Sequence, residues 1–443
     1  MKDLTKGNIY KTFLSFSLPV ILSGLLSQSY NVIDTAIAGR WLGEEGLGEI
    51  GCSASFITVL SSLFWGFTAG GGVLVGMAFG KKDFAKLKST VITTFIIALG
   101  IALAVCPLSV IFREEIFDFL KVDTDLREGG YTYFTVYISG LFLIVLTNFG
   151  VHIFNAIGDS AFPLKMTAVS AVLNVCGNLL SVTVFNAGVF GVALSSVISA
   201  LIVDILFAVR LFLLFRCTKA NKNLYRFSTE DGASVMRIAL PGCCQQMILY
   251  GASFLVAPFI NGAGMSATAA YAVIGRIFEI ATSLYQNSTR AVTSFSSQCI
   301  GSKQFGLLKR AVKAGLVQAL AFLVPLLIVF SLLAPHITSL FFKDAEDTKA
   351  VDIAMNFVRF WMPLVVINVV NNLFHAFWRG TANMRYLVLG TFVGALAQVV
   401  FTYTLAPRYG INGIWTAWVL CWSVEAIFNF ILYKLGKWEK RLV

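Results

Sequence analysis

Four polar side chains lie inside long apolar stretches of this sequence, where a membrane environment makes a charged or polar group costly. They are Asp34 in the stretch 11–39, Asn174 and Asn178 in 162–185, and Ser196 in 188–215. The i, i+4 spacing of the two asparagines places them on one face of a helix. A carboxylate together with amide and hydroxyl oxygens is a suitable ligand set for a small cation. The sequence therefore predicts a cation site where these stretches pack together.

A second set of polar residues lies in the later apolar stretches. It comprises Gln245, Gln246, Tyr250, Arg276, Glu279, Asn368, Asn371, Asn372 and His375. Arg276 and Glu279 are spaced i, i+3 and can pair on one helix face, which lowers the cost of burying both. The others form a polar stripe that either lines a cavity or holds helices together by hydrogen bonds. Asp204 and Glu425 are two further acids without a recognisable motif.

The composition indicates that the elements carrying these residues are membrane helices. Of the 443 residues, 57% are hydrophobic and 13% are charged, whereas soluble chains have ~45–50% and ~25%. The mean hydropathy of +0.79 agrees with this difference. Because so few polar residues cannot cover so much apolar surface in water, we expect an all-α integral membrane protein.

The sequence lacks the motifs of several classes of function. Its three histidines, His152, His336 and His375, are too widely spaced for a zinc or haem motif. It contains no Walker loop for ATP, and no nucleophile and base cluster can be assembled from it. We therefore expect neither an enzyme nor a bound cofactor. The net charge of +11 is attributed to Lys and Arg on the cytoplasmic face rather than to a nucleic-acid partner.

Twelve segments are long enough to cross a bilayer, which takes about 20 predominantly apolar residues. They are 11–39, 50–79, 90–112, 131–157, 162–185, 188–215, 234–260, 268–300, 312–342, 351–378, 384–406 and 411–433, with the shortest connections near Asn186 and 261–264. Loops on one side of this arrangement contain 23 Lys and Arg residues, and loops on the other side contain 7. The positive-inside rule then places both termini in the cytoplasm of a multi-pass protein of the plasma membrane.

The two halves of the sequence resemble each other at an offset of 220 to 222 residues. Leu18-Pro19 matches Leu240-Pro241, residues 80–84 match 301–305, Phe154-Asn155-Ala156 matches Phe374-His375-Ala376, and Gly191 matches Gly413. This repeat predicts an N-lobe at 1–215, a cytoplasmic linker at 216–233 and a C-lobe at 234–443. Six crossings per lobe make the repeats parallel, and duplicated halves of this kind are typical of transporters.

Several motifs of the sequence resemble those of the multidrug and toxic compound extrusion (MATE) family, and its bacterial DinF-like branch in particular. They are YNVIDTAIAGRWLG in the first helix, FGKKDF after the second, NAIGDSAFPLKM between the fourth and fifth, and SQCIGSKQF after the eighth. The resemblance implies a V-shaped molecule of two pseudo-symmetric six-helix lobes. It also implies a monomer that exports amphipathic, cationic organic compounds by alternating access, in exchange for H⁺ or Na⁺.

The resemblance also implies roles for particular residues. DinF-like members bind the coupling cation with an Asp on helix 1, an Asn-x-x-x-Asp pair on helix 5 and a hydroxyl on helix 6. These positions correspond to Asp34, Asn174, Asn178 and Ser196, and Asn178 departs from the pattern because the family usually has a second acid there. Pro19 and Pro241 each remove a helical hydrogen bond and permit bending. A flippase for a lipid-linked or lipid-like substrate, from the same superfamily, is the alternative function.

Overall fold

The computed structural model describes residues 3–217, 227–339, 341, 348–435 and 438, and within these ranges the regular structure is helical. Twelve long helices follow one another along the chain. They are α1 (Ile9–Trp41), α2 (Ala54–Gly80), α3 (Phe84–Ile111), α4 (Arg127–Ala156), α5 (Ala161–Thr183), α6 (Gly188–Cys217), α7 (Thr229–Asn261), α8 (Met265–Gly301), α9 (Gly306–Leu332), α10 (Thr348–Asn356 continuing to Gly380), α11 (Met384–Tyr409) and α12 (Ile411–Lys434). The prediction of twelve helices is confirmed.

Eleven of these helices are both long and apolar enough to span a membrane, and α8 is the exception. It has 37 residues, more than a bilayer requires, but it also contains the charged residues Arg276, Glu279 and Arg290. Much of α8 is buried within the protein, including the polar residues Asn287 and Gln298. Its polar character therefore reflects packing against other helices rather than exposure to lipid.

Two predicted helix boundaries are wrong, and in both cases a short extra helix explains the difference. The predicted span 50–79 begins too early, because a separate helix Gly43–Gly51 precedes α2. The predicted span 312–342 ends too late, because α9 stops at Leu332 and a short helix Ala334–Ser339 follows. Pro335 lacks the N–H group that would continue α9, so the chain restarts as a new helix there.

The helix α10 is not regular along its whole length. Residues Phe357–Trp361 form a π-helical turn and Met362–Val365 form a 3₁₀ turn, after which an α-helical segment continues from Val366 to Gly380. Pro363 lies at this interruption and cannot donate a backbone hydrogen bond. The irregular turn therefore accommodates the proline within a single long helix.

Backbone geometry confirms the duplication of the chain. Residues with positive φ recur at nearly the same offset in both halves, and the three pairs are Gly43 with Gly264, Lys82 with Lys303, and Gly188 with Gly410. Positive φ is uncommon for a residue with a side chain, so its recurrence at Lys82 and Lys303 identifies the same tight turn. The two halves are thus built from one repeated six-helix unit.

One of the predicted repeat matches is displaced by about one helical turn. At the end of α4, Asp159 N donates to Phe154 O at 2.9 Å, and at the end of α10, Asn383 N donates to Trp378 O at 2.8 Å. The same turn therefore pairs Phe154 with Trp378 rather than with Phe374. Four residues separate one turn of a helix from the next, so a sequence match can slip by this amount and keep the same face.

The chain divides into two compact units, and two helices contribute to both. Unit 1 contains the first three residues and Leu22–Cys243, and unit 2 contains Leu4–Ile21 and Cys244–Val443. The divisions fall two residues after Pro19 in α1 and two residues after Pro241 in α7. Each proline thus lies where its helix passes from one unit to the other. The lobe bounds and the bending role of the prolines stay predictions, and linker residues 218–226 lie outside the described residues.

Within unit 1, glycines of α2 allow close approach of α7. A Cβ atom on Gly70 would lie 2.9 Å from the Cα atom of Ala239, and one on Gly66 would lie 3.0 Å from the Gly242 carbonyl group. Contacts this short with backbone atoms cannot be relieved by a side-chain rotation. The small-residue spacing in α2 therefore serves helix packing.

We expect Gly70→Val to destabilise the protein, because its side chain would push α2 away from α7. Overpacking of this kind costs about 1–3 kcal/mol. The measurement is thermal unfolding of the purified variant in detergent. Gly100→Val is the matched control, since a Cβ at Gly100 meets nothing within 4 Å. Equal unfolding temperatures for the two variants would contradict this role of Gly70.

Candidate cation site

The four residues of the predicted cation site lie on three helices of unit 1. Asp34 is seven residues before the end of α1 at Trp41. Asn178 is five residues before the end of α5 at Thr183, and Asn174 lies one turn earlier. Ser196 is eight residues after the start of α6 at Gly188. Because α5 and α6 are consecutive and antiparallel, their residues meet at the same level of the bundle.

Hydrogen bonds join these four side chains into one network. Asn178 Nδ2 donates to Asp34 Oδ1 at 2.9 Å. The end of the Asn174 amide lies 2.6 Å and 2.7 Å from the two Asp34 carboxylate oxygens, and hydrogen bonding assigns the amide nitrogen to this position. In this orientation Ser196 Oγ donates to the Asn174 carbonyl oxygen at 3.0 Å. The sequence prediction thus identified residues that the fold brings together.

The network combines burial with an unused acceptor. Asn174 is 4% exposed and Asn178 is fully buried. Asn178 Oδ1 has no hydrogen-bond partner among the described residues. A buried carbonyl oxygen without a partner is costly to desolvate, and it is suited to contact a cation bound beside Asp34. The residues present therefore fit a proton or Na⁺.

Three tyrosines next to Asp34 were missed in the sequence. Tyr30 on α1 and Tyr133 and Tyr137 on α4 lie within electrostatic range of the Asp34 carboxylate. The rings of Tyr133 and Tyr137 stack with their centroids 5.7 Å apart. Their i, i+4 spacing was the available signal, but aromatic residues at this spacing more often form packing contacts. They surround the carboxylate with neutral hydroxyl groups rather than with positive charge.

The electrostatics of the site follow from its single charge. No ion pair among the described residues involves Asp34, and none of their His, Cys, Asp and Glu side chains form a cluster suited to a metal ion. The Asp34 charge is therefore left for a mobile cation to neutralise. One carboxylate with neutral oxygens favours a monovalent ion over a transition metal, which needs softer ligands.

The second predicted set lies in unit 2, and most of its members with recorded contacts hold helices together. Arg379 Nη2 donates to Gln245 Oε1 at 2.5 Å, which links α10 to α7. Asn368 Nδ2 donates to Tyr285 Oη on α8 at 3.0 Å, and Asn372 Nδ2 donates to the Asn368 backbone oxygen at 3.1 Å. These contacts support the interpretation of the stripe as interhelical bonding. Its role as a cavity lining stays a prediction.

The remaining members of the set are more exposed. Arg276 and Glu279 form the predicted pair, but their nearest N and O atoms are 3.7 Å apart and their side chains are 68% and 58% exposed. A solvated pair of this kind contributes little to stability. Gln246 is half-buried and Tyr250 is exposed.

The two acids without a motif have partners on other helices. Thr147 Oγ1 on α4 donates to Asp204 Oδ1 on α6 at 2.7 Å. His375 Nε2 on α10 lies 2.8 Å from Glu425 Oε1 on α12. Both partners are separated by more than 45 residues in the sequence, so no local motif reveals them. Asp204 and Glu425 therefore each belong to an interhelical contact.

Solved structures of transporters share this fold over nearly the whole chain. A crystal structure of MATE in the straight conformation has a TM-score of 0.90 and 20% identity, and covers 99% of this chain and 98% of that chain. MATE in the bent conformation has a TM-score of 0.88 and 21% identity, and covers 100% and 99%. At this level of identity the likeness establishes the fold.

Curated relatives match over a similar length. The probable multidrug resistance protein YpnP of Bacillus subtilis (strain 168) is 22% identical over 439 residues, which cover 99% of this chain and 97% of the relative. The multidrug export protein MepA of Staphylococcus aureus (strain MRSA252) is 21% identical over 437 residues, which cover 97% and 94%.

The MatE family model matches the chain twice. The matched segments are residues 19–180 and 241–404, so the second match begins 222 residues after the first. This spacing agrees with the repeat that the positive-φ turns show. Together the two matches include the three helices of the cation site and most of unit 2. The chain belongs to the MatE family.

Proposed function

We propose that the protein is a cation-coupled antiporter that exports amphipathic, cationic organic compounds by alternating access, with H⁺ or Na⁺ as the coupling ion. The observation that carries this proposal is the Asp34 network, in which a single carboxylate without an ion-pair partner is surrounded by neutral oxygen-bearing side chains. The names of YpnP and MepA, a multidrug resistance protein and a multidrug export protein, support the substrate class.

The network can exist in two states that differ in cation occupancy. Without a cation, the ionised Asp34 carboxylate accepts hydrogen bonds from the amide nitrogens of Asn174 and Asn178. When a proton binds, Asp34 becomes a donor, and the Asn174 amide must rotate to present its oxygen. A sodium ion requires the same rotation, because it binds oxygen and not an amide nitrogen. Cation binding therefore changes hydrogen bonds among α1, α5 and α6.

This change reaches the rest of the protein through α1. Asp34 and Pro19 lie on the same helix, fifteen residues apart, and the helix passes from unit 2 to unit 1 just after the proline. Proline removes one hydrogen bond from the helix ladder, so bending at this point costs less than elsewhere. A cation that favours one geometry of α1 shifts the population of transporter states by its differential affinity for them.

Antiport follows from the single charge of the site. When the carboxylate is neutralised by the coupling cation, unit 1 loses the negative charge that attracts a cationic substrate. Release of the coupling cation restores that charge and the affinity for substrate. The two ligands then exclude each other electrostatically, which is reciprocal by thermodynamic linkage.

We expect Asp34→Asn to abolish gradient-driven transport, because the amide keeps the size of the side chain but cannot be neutralised by a cation. The measurement is ethidium efflux from proteoliposomes under an imposed pH gradient and, separately, an imposed Na⁺ gradient. Asp204→Asn is the matched control, since its carboxylate accepts from Thr147 outside the network. The proposed function is wrong if wild type responds to neither gradient, or if Asp34→Asn responds like wild type.

We expect Asn178→Asp to shift the dependence of transport on pH towards higher pH. A second carboxylate beside Asp34 would repel its charge, and such a pair holds a shared proton more firmly than one carboxylate does. The measurement is the initial efflux rate of wild type and variant between about pH 5.5 and 8.5, with and without Na⁺, a range that covers the acidic and neutral conditions of interest. Superimposable profiles in both conditions would show that residue 178 does not sense Asp34.

A further inference from the structure

A second ionisable group pair lies in unit 2, away from the Asp34 network. His375 on α10 and Glu425 on α12 approach to 2.8 Å between Nε2 and Oε1, and their side chains are only 12% and 9% exposed. The fold makes room for the carboxylate: a Cβ atom on Gly394 of α11 would lie 2.6 Å from Glu425 Oε2. Three helices thus enclose this pair.

The neighbours of the imidazole determine where its proton lies. Thr391 Oγ1 is 3.3 Å from His375 Nε2, and the same hydroxyl donates to the Leu387 backbone oxygen at 2.9 Å. Its hydrogen is therefore committed, and Thr391 can only accept from the ring. The Glu425 carboxylate also accepts. Nε2 consequently carries the proton of the neutral imidazole, and Nδ1 is the atom that an additional proton would join.

The charged groups around the pair leave this proton exchangeable. From α12, the Cys421 thiol lies one turn before Glu425 and interacts with its carboxylate. On α10, Arg379 lies one turn after His375 and donates to Gln245. Arg290 of α8 interacts electrostatically with Arg379, and the three cations of α9 lie within its first eight residues, at 309, 310 and 313. Among the described residues, Glu425 is the acid that forms an ion pair with His375.

The equivalent place in unit 1 lacks a titrating base. There, the carboxylate of the sixth helix, Asp204, accepts from Thr147 of the fourth helix. In unit 2 the carboxylate of α12 instead meets a histidine of α10, the fourth helix of its repeat. A threonine hydroxyl does not ionise, whereas histidine is the side chain whose ordinary pKa lies between pH 5 and 8. The two repeats therefore share an interhelical carboxylate but differ in proton chemistry.

We propose that His375 and Glu425 form a second proton-binding site, which takes up one proton at His375 Nδ1 and releases it when a cationic substrate binds. In the loaded state an imidazolium faces a carboxylate, and in the unloaded state a neutral imidazole donates to the same carboxylate. No bond other than the N–H bond forms or breaks, and water supplies and accepts the proton. This inference rests on the proposed antiport function and adds a proton to its cycle.

The test counts protons released when saturating ethidium is added to purified protein in weakly buffered detergent solution containing a pH-sensitive dye. Ethidium binding is followed separately by its fluorescence. The proteins are wild type, Asp34→Asn, His375→Gln, Glu425→Gln and the double variant Asp34→Asn/His375→Gln. His336→Gln is the matched control, because it removes an exposed histidine of the short helix Ala334–Ser339. Thermal unfolding of each variant identifies any that fail to fold.

We expect His375→Gln and Glu425→Gln each to lose about one released proton per transporter, as required for a pair that titrates as a unit. Asp34→Asn should retain this proton, and the double variant should lose it. The inference is wrong if His375→Gln releases as many protons as His336→Gln, or if wild type binds ethidium without releasing protons. The proposed function would survive either result, because ethidium efflux driven by Na⁺ or through Asp34 tests it independently.

Discussion

The cost of holding a carboxylate inside a membrane protein is the constraint on which this structure depends. Asp34 lies within a helix long and apolar enough to span a bilayer, and an acid there must be neutralised, hydrogen-bonded or wetted. The fold supplies two amides and a hydroxyl from α5 and α6, and three tyrosines lie within electrostatic range. These groups stabilise the charge but do not cancel it. A site of this kind remains responsive to any cation that can reach it.

The rest of unit 1 positions this charge without adding another one to it. Glycines of α2 let α7 approach to backbone contact, and the sixth helix holds its own acid, Asp204, in a separate bond to Thr147. The prolines of α1 and α7 lie at equivalent places, close to where each helix passes between the units. Duplication thus provided two copies of one scaffold. Substitutions such as threonine against histidine beside the sixth-helix acid then gave the copies different chemistry.

Much of this architecture could be predicted from the sequence, because membrane helices and repeats leave long-range signals. Apolar length gave twelve helices, and the constant offset gave the duplication. The cation site was identified through the spacing of Asn174 and Asn178 together with a family resemblance. Contacts between distant helices left no such signal, so Tyr133 beside Asp34 and His375 beside Glu425 were missed. Local backbone chemistry also escaped the pattern: Pro335 separates a short helix from α9.

The central claim is that a coupling cation and a cationic substrate compete for the charge of Asp34. The most direct test is the equilibrium affinity of purified wild-type protein for ethidium, measured by fluorescence as proton or Na⁺ concentration is raised at constant ionic strength. The account predicts that the apparent Kd rises at least about tenfold with one of the two cations, equivalent to about 1.4 kcal/mol of coupling. An affinity that is indifferent to both cations would contradict it.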